Sequence, residues 1–457
     1  MTDTKTPFNR RAFLQGSLGA GVGVALSGPF AALGARAAGA APGGSRKSRN
    51  AAGYGRLAPA KDHTTGLELL LLPKGFEYLS FGWCNSTMSD GTLTPTKHDG
   101  MGAFRDGDLL RLVRNHERGY GTPFAPPRAT YDPLASGGTT TLVFDPVGGR
   151  LIDDYASLSG TVRNCGGGPT PAGTWLSCEE TTVVNGDNRH GYVFEVPTRG
   201  PAGAVPLRAM GRFSHEATAT DPATGIVYET EDAGHSALYR YVPIDPTNLA
   251  AGGVLEAMKL EGTTDTVAWT MGTSAAAEWV VVENPDWGPG EPTAFQQAYS
   301  RGAARLSRGE GAWYGNGVVY VISTDGGPAR QGQVFAYDPS CSTFTCVFAS
   351  PSATVLNAPD NVTVSPRGGI VLCEDGTGLQ FLHGLSADGE IFPFAQNNVV
   401  LPPAEMAARG YTGSGDFTGS EWCGATFAPG KGDWLFANIQ RPGITVAITG
   451  PWHKGAL

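Results

Sequence analysis

The chain has almost no long helical periodicity. Past its first residues, only Pro292-to-Arg305 and Pro402-to-Arg409, the latter preceded by Leu401, offer short helices. It also lacks a lysine- or arginine-rich stripe. The one basic run, Arg46-Lys47-Ser48-Arg49, lies in a Gly/Ser/Ala segment, and the formal net charge is −9. That balance speaks against nucleic acid as a partner, because phosphate backbones are met by clustered cations. There is no G-x-S-x-G elbow and no GKS or GKT phosphate loop. The 8 histidines are scattered, which argues against a histidine-built zinc site. The 7 cysteines are too few and too odd in number for a full disulfide framework. Cys341 and Cys346 flank a short turn and are spaced for a local disulfide. Cys178 and Cys373 sit in apolar runs and read as small core residues.

What is abundant is punctuation. Gly numbers 66 and Pro 33, and short apolar runs end repeatedly in Gly, Pro, Asn or Asp. This pattern predicts an all-β chain. At this length a plain sandwich is too small, so a repeat architecture is expected.

The N-terminus stands apart. Asn9-Arg10-Arg11-Ala12-Phe13-Leu14 opens a Gly/Ala-rich apolar run, and Ala35-Arg36-Ala37 offers an A-x-A cleavage site. Residues 1–37 read as a twin-arginine (Tat) export signal, which makes the Tat translocase a transient partner and the destination periplasmic or extracellular. The run is too glycine-rich for a stable membrane anchor. Residues 38–66 read as a Gly/Ser/Ala-rich linker, and 67–457 as one domain.

Within that domain six segments share a form, an apolar strand ending in acidic or amide residues before a glycine turn. They are Leu109-to-Gly119, Thr174-to-Thr181, Ile226-to-Gly234, Val318-to-Gly327, Ile370-to-Gly376 and Trp434-to-Gly443. Several are entered through the same x-Pro-x-x-Gly turn, as in Asp221-to-Gly225, Ser365-to-Gly369 and Ala428-to-Gly432. A fixed interval accompanies them. Cys165 to Glu180, Glu216 to Glu231, Glu310 to Asp325 and Asp360 to Asp375 are each 15 residues. Asp99 to Glu117 and Glu421 to Gln440 run slightly longer. Residues equidistant from a hairpin turn share one end of the hairpin. Repeated radially, this predicts a six-bladed β-propeller with short helical insertions and a polyacidic mouth.

The mouth would gather Glu117, Glu179, Glu180, Glu216, Glu231, Asp232, Glu310, Asp360, Glu374, Asp375 and Glu421. So many carboxylates cannot ionise together without bound cations and are too many for one proton-sharing dyad, and oxygen-rich sites favour hard ions such as calcium, magnesium, manganese or ferric iron. Cys165 stands where other units carry an acid, and a thiolate among oxygen ligands suits iron better than calcium. Arg308 lies two residues before Glu310. If that segment is extended the two face one side, making Arg308 either a fork for an anionic substrate or a neutraliser of neighbouring acids.

These residues resemble the PhoX-type alkaline phosphatases. The carrying motifs are Asn115-His116-Glu117, Asn164-Cys165-Gly166-Gly167, Cys178-Glu179-Glu180, Ser214-His215-Glu216, Glu231-Asp232, Ser307-Arg308-Gly309-Glu310-Gly311, Pro359-Asp360-Asn361, Cys373-Glu374-Asp375, Gly419-Ser420-Glu421 and Asn438-Ile439-Gln440-Arg441-Pro442-Gly443. The likeness runs from about Leu67 to Trp452. It implies a Tat-exported, six-bladed phosphomonoesterase acting on phosphate esters with ferric iron and calcium ions. Cys165 maps to an iron-binding thiolate, Arg308 to the phosphate contact and Glu310 to a metal ligand. Glu117, Glu180, Glu216, Glu231, Asp360, Glu374, Asp375 and Glu421 fall on motif positions as further metal ligands, and Asn115 as a second substrate contact. Two departures stand out: Trp422-Cys423 replaces a usual Phe-Ala pair, and Gly166 stands where Ala is common. A calcium-dependent propeller lactonase or arylesterase, and a non-catalytic calcium-stabilised scaffold, remain as alternatives.

Overall fold

The computed structural model describes residues 52–457; the expected export signal and the linker up to residue 51 lie outside the described residues. Antiparallel strands dominate. His98–Asp106, Leu109–His116, Gly137–Asp145 and Arg150–Thr161 form one antiparallel sheet. Asn164–Pro169, Thr174–Glu179 and Val193–Pro197 form the next. A nine-stranded sheet follows. Its first part runs outward through His215–Thr220, Val227–Glu231, Tyr239–Pro243 and Gly253–Leu260. Ser274–Val281 then joins it to Thr343–Ala349, Gln333–Asp338, Val318–Ser323 and Gly309–Gly315. Pro359–Val364, Ile370–Glu374, Phe381–Leu385 and Ile391–Asn397 form another sheet, extended at its edge by Leu70–Pro73 and Leu57–Ala60. The last is Trp422–Phe427, Trp434–Ile439 and Ile444–Thr449, completed by Glu77–Phe81 from the start of the domain.

The strand that comes earliest in the chain in each three- or four-stranded meander, the strands added from the start of the domain aside, packs against its counterparts on either side. His98–Asp106 contacts Asn164–Pro169, which contacts His215–Thr220. The series continues through Gly309–Gly315, Pro359–Val364 and Trp422–Phe427, and the last returns to His98–Asp106. The chain is therefore an all-β propeller. Apolar side chains fill the wedges between neighbouring sheets. At the seam, Leu79 and Phe81 of the closing strand pack with Met101, Leu112, Phe144 and Phe436. Arg114, fully buried, donates there to the Gly82 carbonyl and to the hydroxyls of Thr445 and Thr140. Burial pulls its guanidinium down to about 9.

Every innermost strand carries a register shift near its start. The residues spanned are Asp99-Gly100, Cys165-Gly166, Glu216-Ala217, Glu310-Gly311, Asp360-Asn361 and Gly424-Ala425. A β-bulge leaves its extra residue unpaired and re-aims its side chain. Here it turns an acid or thiol at the first position toward the axis in all but the last strand. In all but the Asp360-Asn361 pair the second position is Gly or Ala, and at the glycines the next strand's backbone lies close against it. A Cβ on Gly100 would come 2.7 Å from the Cys165 carbonyl oxygen, and one on Gly311 2.6 Å from that of Asp360.

Three expectations are corrected. Residues 57–60, expected within the linker, are an edge strand paired with Leu70–Pro73; Leu57-Ala58-Pro59-Ala60 is too short and too weakly apolar to announce it. Cys341 and Cys346 form no disulfide, and all seven cysteines are free. Cys346 points into the core against the Phe348 carbonyl while Cys341 stays exposed. The two helices shorten to Ala294–Tyr299, boxed by Thr293 and Gln296, and Pro403–Ala408. Among the described residues no helix is long and apolar enough to cross a membrane.

Gly100→Ala tests the close approach of neighbouring strands. A methyl group against backbone atoms of the next strand cannot be relieved by a rotamer change, so the variant is expected to lose about 1–3 kcal/mol in chemical denaturation. Wild-type stability would contradict the contact.

Candidate metal centre and active site

The bulged residues converge on a cavity of about 100 Å³ at one end of the propeller. Its walls are Glu117, Arg163, Cys165, Glu180, Asp232, Arg308, Glu310, Asp360, Asp375, Glu421 and Gln440. Beneath it lies Glu216, fully buried, with neither carboxylate oxygen hydrogen-bonded. Its oxygens belong to two ligand-sized groups, Cys165–Glu180–Glu216 and Glu216–Glu310–Asp360, in each of which the donor atoms lie within 4.8 Å of one another. A third group joins Asp99, Glu421 and Cys423 at the same spacing. One Asp360 oxygen is likewise buried and unpartnered.

Left to themselves these groups resist ionisation. Burial pushes Glu180 up to about 8, against the pull of Arg163 and with the push of Asp232 and Glu117. Burial and then Asp375 raise Asp360 to about 7. Glu216, Glu310, Asp99 and Glu421 are held well above the carboxylate range, chiefly by burial and then by their acidic neighbours. The Cys165 thiol is raised for the same reasons, with Asp99 and Glu216 its nearest sources of repulsion. Buried oxygens without donors, beside a thiol, fit a cluster of hard cations that accepts one sulfur ligand.

Most of the expected residues meet here: Glu117, Cys165, Glu180, Glu216, Arg308, Glu310, Asp360, Asp375 and Glu421. Three do not. Glu231 turns out of the cavity and accepts from the Tyr239 hydroxyl at 2.7 Å, while its neighbour Asp232 lines the wall. Glu374 points outward, accepting from the Asn357 and Phe381 amides at 2.8 and 3.1 Å with His383 beside it. Asn115 is fully buried. It donates to the carbonyls of Cys165 and Gly166 at 2.8 and 2.6 Å and accepts from Trp175 and Ser177, so it holds the bulge and has no free group for a substrate.

The hairpin lengths explain the first miss. Gly167 lies opposite Ser177 and Val362 opposite Leu372, but Thr218 lies opposite Glu229, one residue further, and Ala312 opposite Val321, one residue nearer. A constant interval of 15 therefore lands one residue short at Glu231. It lands one too far at Asp325, which pairs with Arg330 instead.

Arg308 does meet Glu310, though not through an extended segment, since its φ is +48°. The left-handed turn brings its guanidinium onto Asp232, at 2.9 and 3.0 Å, and onto Glu310 at 2.5 Å. Burial opposes its charge, and the hydrogen bonds to Asp232 with the field of Glu310 outweigh that and raise it. Two further cations were not singled out by sequence. Lys97 and Arg163, φ +54° and +55°, occupy the same place ahead of Asp99 and Cys165. Lys97 bonds Glu117 at 3.1 Å, and Arg163 reaches Glu117 at 3.1 Å and Glu180 at 2.5 Å. The visible signal was a basic residue two positions before each of these ligands.

An acid-lined propeller mouth with one thiol and forked guanidiniums is a metal-dependent hydrolase's architecture. The family model for alkaline phosphatase PhoX matches residues 52–443, and the chain belongs to that family. It is a phosphomonoesterase, and metal dependence comes with the family. This sets aside the lactonase and scaffold alternatives. Pseudomonas fluorescens PhoX, solved in complex with vanadate, a transition state analogue, shares the fold at TM-score 0.62 and 18% identity, over 88% of this chain and 98% of that one. The XC5397 gluconolactonase of Xanthomonas campestris aligns at TM-score 0.43 and 13% identity, over 87% and 98%. No curated protein sequence matches the chain.

The raised carboxyls predict how the metal-free protein responds to pH. Glu180 has an ordinary value of 4.5 and a folded value of about 8. The folded state thus binds more protons than the unfolded one across that window. Its extra stability is complete below the ordinary value and is lost as pH rises through the folded one. Chelator-stripped protein is expected to lose urea stability between about pH 5 and 8.5, and ion-loaded protein to lack that slope. A metal-free stability that is flat or rising there would contradict the electrostatics.

Proposed function

We propose that this mouth holds ferric iron and calcium ions and releases inorganic phosphate from phosphate esters outside the cytoplasm. The observation that carries the reading is Glu216, whose two unpartnered, buried oxygens sit between the Cys165–Glu180 group and the Glu310–Asp360 group. Cys165, Glu180, Glu216, Glu310 and Asp360 would hold the ions nearest the axis. Asp99, buried at its own bulge, would join them, and Glu117, Asp375 and Glu421 would serve the rim. Cys165 directs iron to its side of the cluster, because thiolate is the soft donor among hard oxygens. When bound, such ions supply charge neutralisation for phosphoryl oxygens and activation of water.

The chain's own residues do the rest. Arg308 is held in a fixed fork by Asp232, and a guanidinium offers five donors, more than Asp232 and Glu310 occupy. Its remaining edge meets the negative charge that grows on the transferred phosphoryl group. Gln440 donates to Glu117 at 3.1 Å and to Asp99 at 3.3 Å, keeping both carboxylates aimed inward. Asn115 donates to both carbonyls of the Cys165-Gly166 bulge and so sets where the thiol points. Vanadate, the ligand of Pseudomonas fluorescens PhoX, is an oxyanion of the kind this arrangement would admit.

The blade count belongs to the same reading. Six innermost strands succeed one another around the axis, each with its bulge, which supports six blades. Arg10-Arg11 and the Ala35-Arg36-Ala37 site support Tat export with a periplasmic or secreted destination.

Two variants separate the roles. Cys165→Ser is expected to fold and to lose iron, measured by elemental analysis of protein purified under identical conditions, because a hydroxyl replaces thiolate poorly. Unchanged iron would remove Cys165 from the ligand set. Arg308→Lys is expected to keep its metals and hydrolyse p-nitrophenyl phosphate far more slowly, with Arg308→Ala worse. The loss in kcat/KM for Arg308→Ala should correspond to about 2–4 kcal/mol. Near-normal kcat/KM in Arg308→Ala with full metal content would reduce Arg308 to a charge balancer.

A further inference from the structure

Arg163 and Arg308 occupy matching places in the propeller. Each stands two residues before an inward-facing ligand, Cys165 or Glu310, with a left-handed backbone, φ +55° and +48°. Ala358, φ +51°, takes the same conformation ahead of Asp360. The backbone strain therefore belongs to the way these strands begin, and only the side chain distinguishes one unit from another. The two guanidiniums also share a wall. Arg163 holds Glu180, Asp232 is near enough to Glu180 to raise its pKa, and Asp232 is forked by Arg308. Both arginines line the cavity and remain open to solvent, with side chains 47% and 39% exposed. Lys97 extends the basic corner on the far side of Glu117.

The rest of the wall is acidic: Glu117, Glu180, Asp232, Glu310, Asp360, Asp375 and Glu421. A phosphate ester whose alcohol carries its own negative charge would be repelled along most of that rim. The Arg163–Lys97 corner is where such a charge can rest. Glu117 and Glu180 take up two of the donors of Arg163, and a guanidinium has five.

We propose that Arg163, flanked by Lys97, is a specificity-determining contact that accepts an anionic leaving group. The favoured substrates are then phosphate monoesters whose alcohol bears a carboxylate or a further phosphate. This rests on the phosphomonoesterase reading of the same mouth, with Arg308 on the transferred phosphate.

Two esters of similar size isolate the contact, 3-phosphoglycerate with a carboxylate and glycerol 3-phosphate without one. Phosphate release is followed with metal-loaded wild type, Arg163→Ala, Arg163→Lys and Lys97→Met, with iron and calcium assayed on each preparation. The kcat/KM ratio of the carboxylate ester to the neutral one is expected to fall about tenfold in Arg163→Ala, mainly through KM, as for loss of one hydrogen bond to a charged group. Arg163→Lys should recover part of the ratio, and Lys97→Met should lower it less. Should Arg163→Ala fail to fold, Arg163→Lys and Lys97→Met carry the comparison. An unchanged ratio in the folded variants overturns the inference. So does an equal loss on both esters accompanied by loss of metal, which would make Arg163 a support for Glu117 and Glu180. Metal-loaded wild type that releases phosphate from neither ester would instead overturn the activity on which the inference rests.

Discussion

A ring of carboxylates buried around one axis cannot exist on its own charge. Glu216 makes the constraint plain, with both oxygens sealed from water and neither given a donor. Isolated buried carboxylates either take up protons or find cations. Arg163 and Arg308 do not supply those charges at the axis, since they stand at the rim and hold Glu180, Asp232 and Glu310 from above. The cluster is thus built to be completed from outside the polypeptide. The shape of the propeller follows from bringing one such residue in from each of several sheets.

The bulges are the means. A regular strand would alternate its side chains between the two wedges beside the sheet. An extra residue near the start of each innermost strand aims one side chain at the axis, and where a glycine stands beside it the next strand's backbone closes in. The last strand differs. Gly424 stands at the bulge, its position only 2.4 Å, as a Cβ would see it, from the Asp99 carbonyl oxygen, and Glu421 reaches the mouth from three residues earlier. Cys423 is thereby left beside Asp99 and Glu421 with its thiol on the His98 carbonyl. A second sulfur close to the acids is a feature in which this chain departs from the pattern its motifs resemble.

The all-β class and the polar mouth were legible because turn chemistry and strand-ending acids are local signals. The strands over Thr174–Glu179, Val227–Glu231 and Ile370–Glu374 fall where the repeated segments put them. The exact lining was not legible, since hairpins one residue longer or shorter exchange Asp232 for Glu231 and Thr324 for Asp325. Glu374 was indistinguishable in sequence from Asp375; only the amides of Asn357 and Phe381 reveal that it caps a turn. Arg163 escaped although, like Arg308, it stands two residues before an inward ligand; the left-handed φ that swings it onto the mouth is not written in residue type. Asn115 sits in the right motif, and its role in holding the Cys165 bulge depends on contacts fifty residues away.

The rim and the axis divide the labour. In the proposed function the axis would hold the ions, and the rim, where Arg308 forks Asp232 and Arg163 bridges Glu117 and Glu180, would admit an oxyanion to an acidic opening. The most direct test of the axis is anomalous X-ray diffraction at the iron absorption edge from crystals of protein purified without chelator. The account predicts an iron peak within bonding distance of the Cys165 sulfur and a Glu216 carboxylate oxygen. Well-ordered crystals with no iron between those two residues, or with iron bound elsewhere, would contradict it.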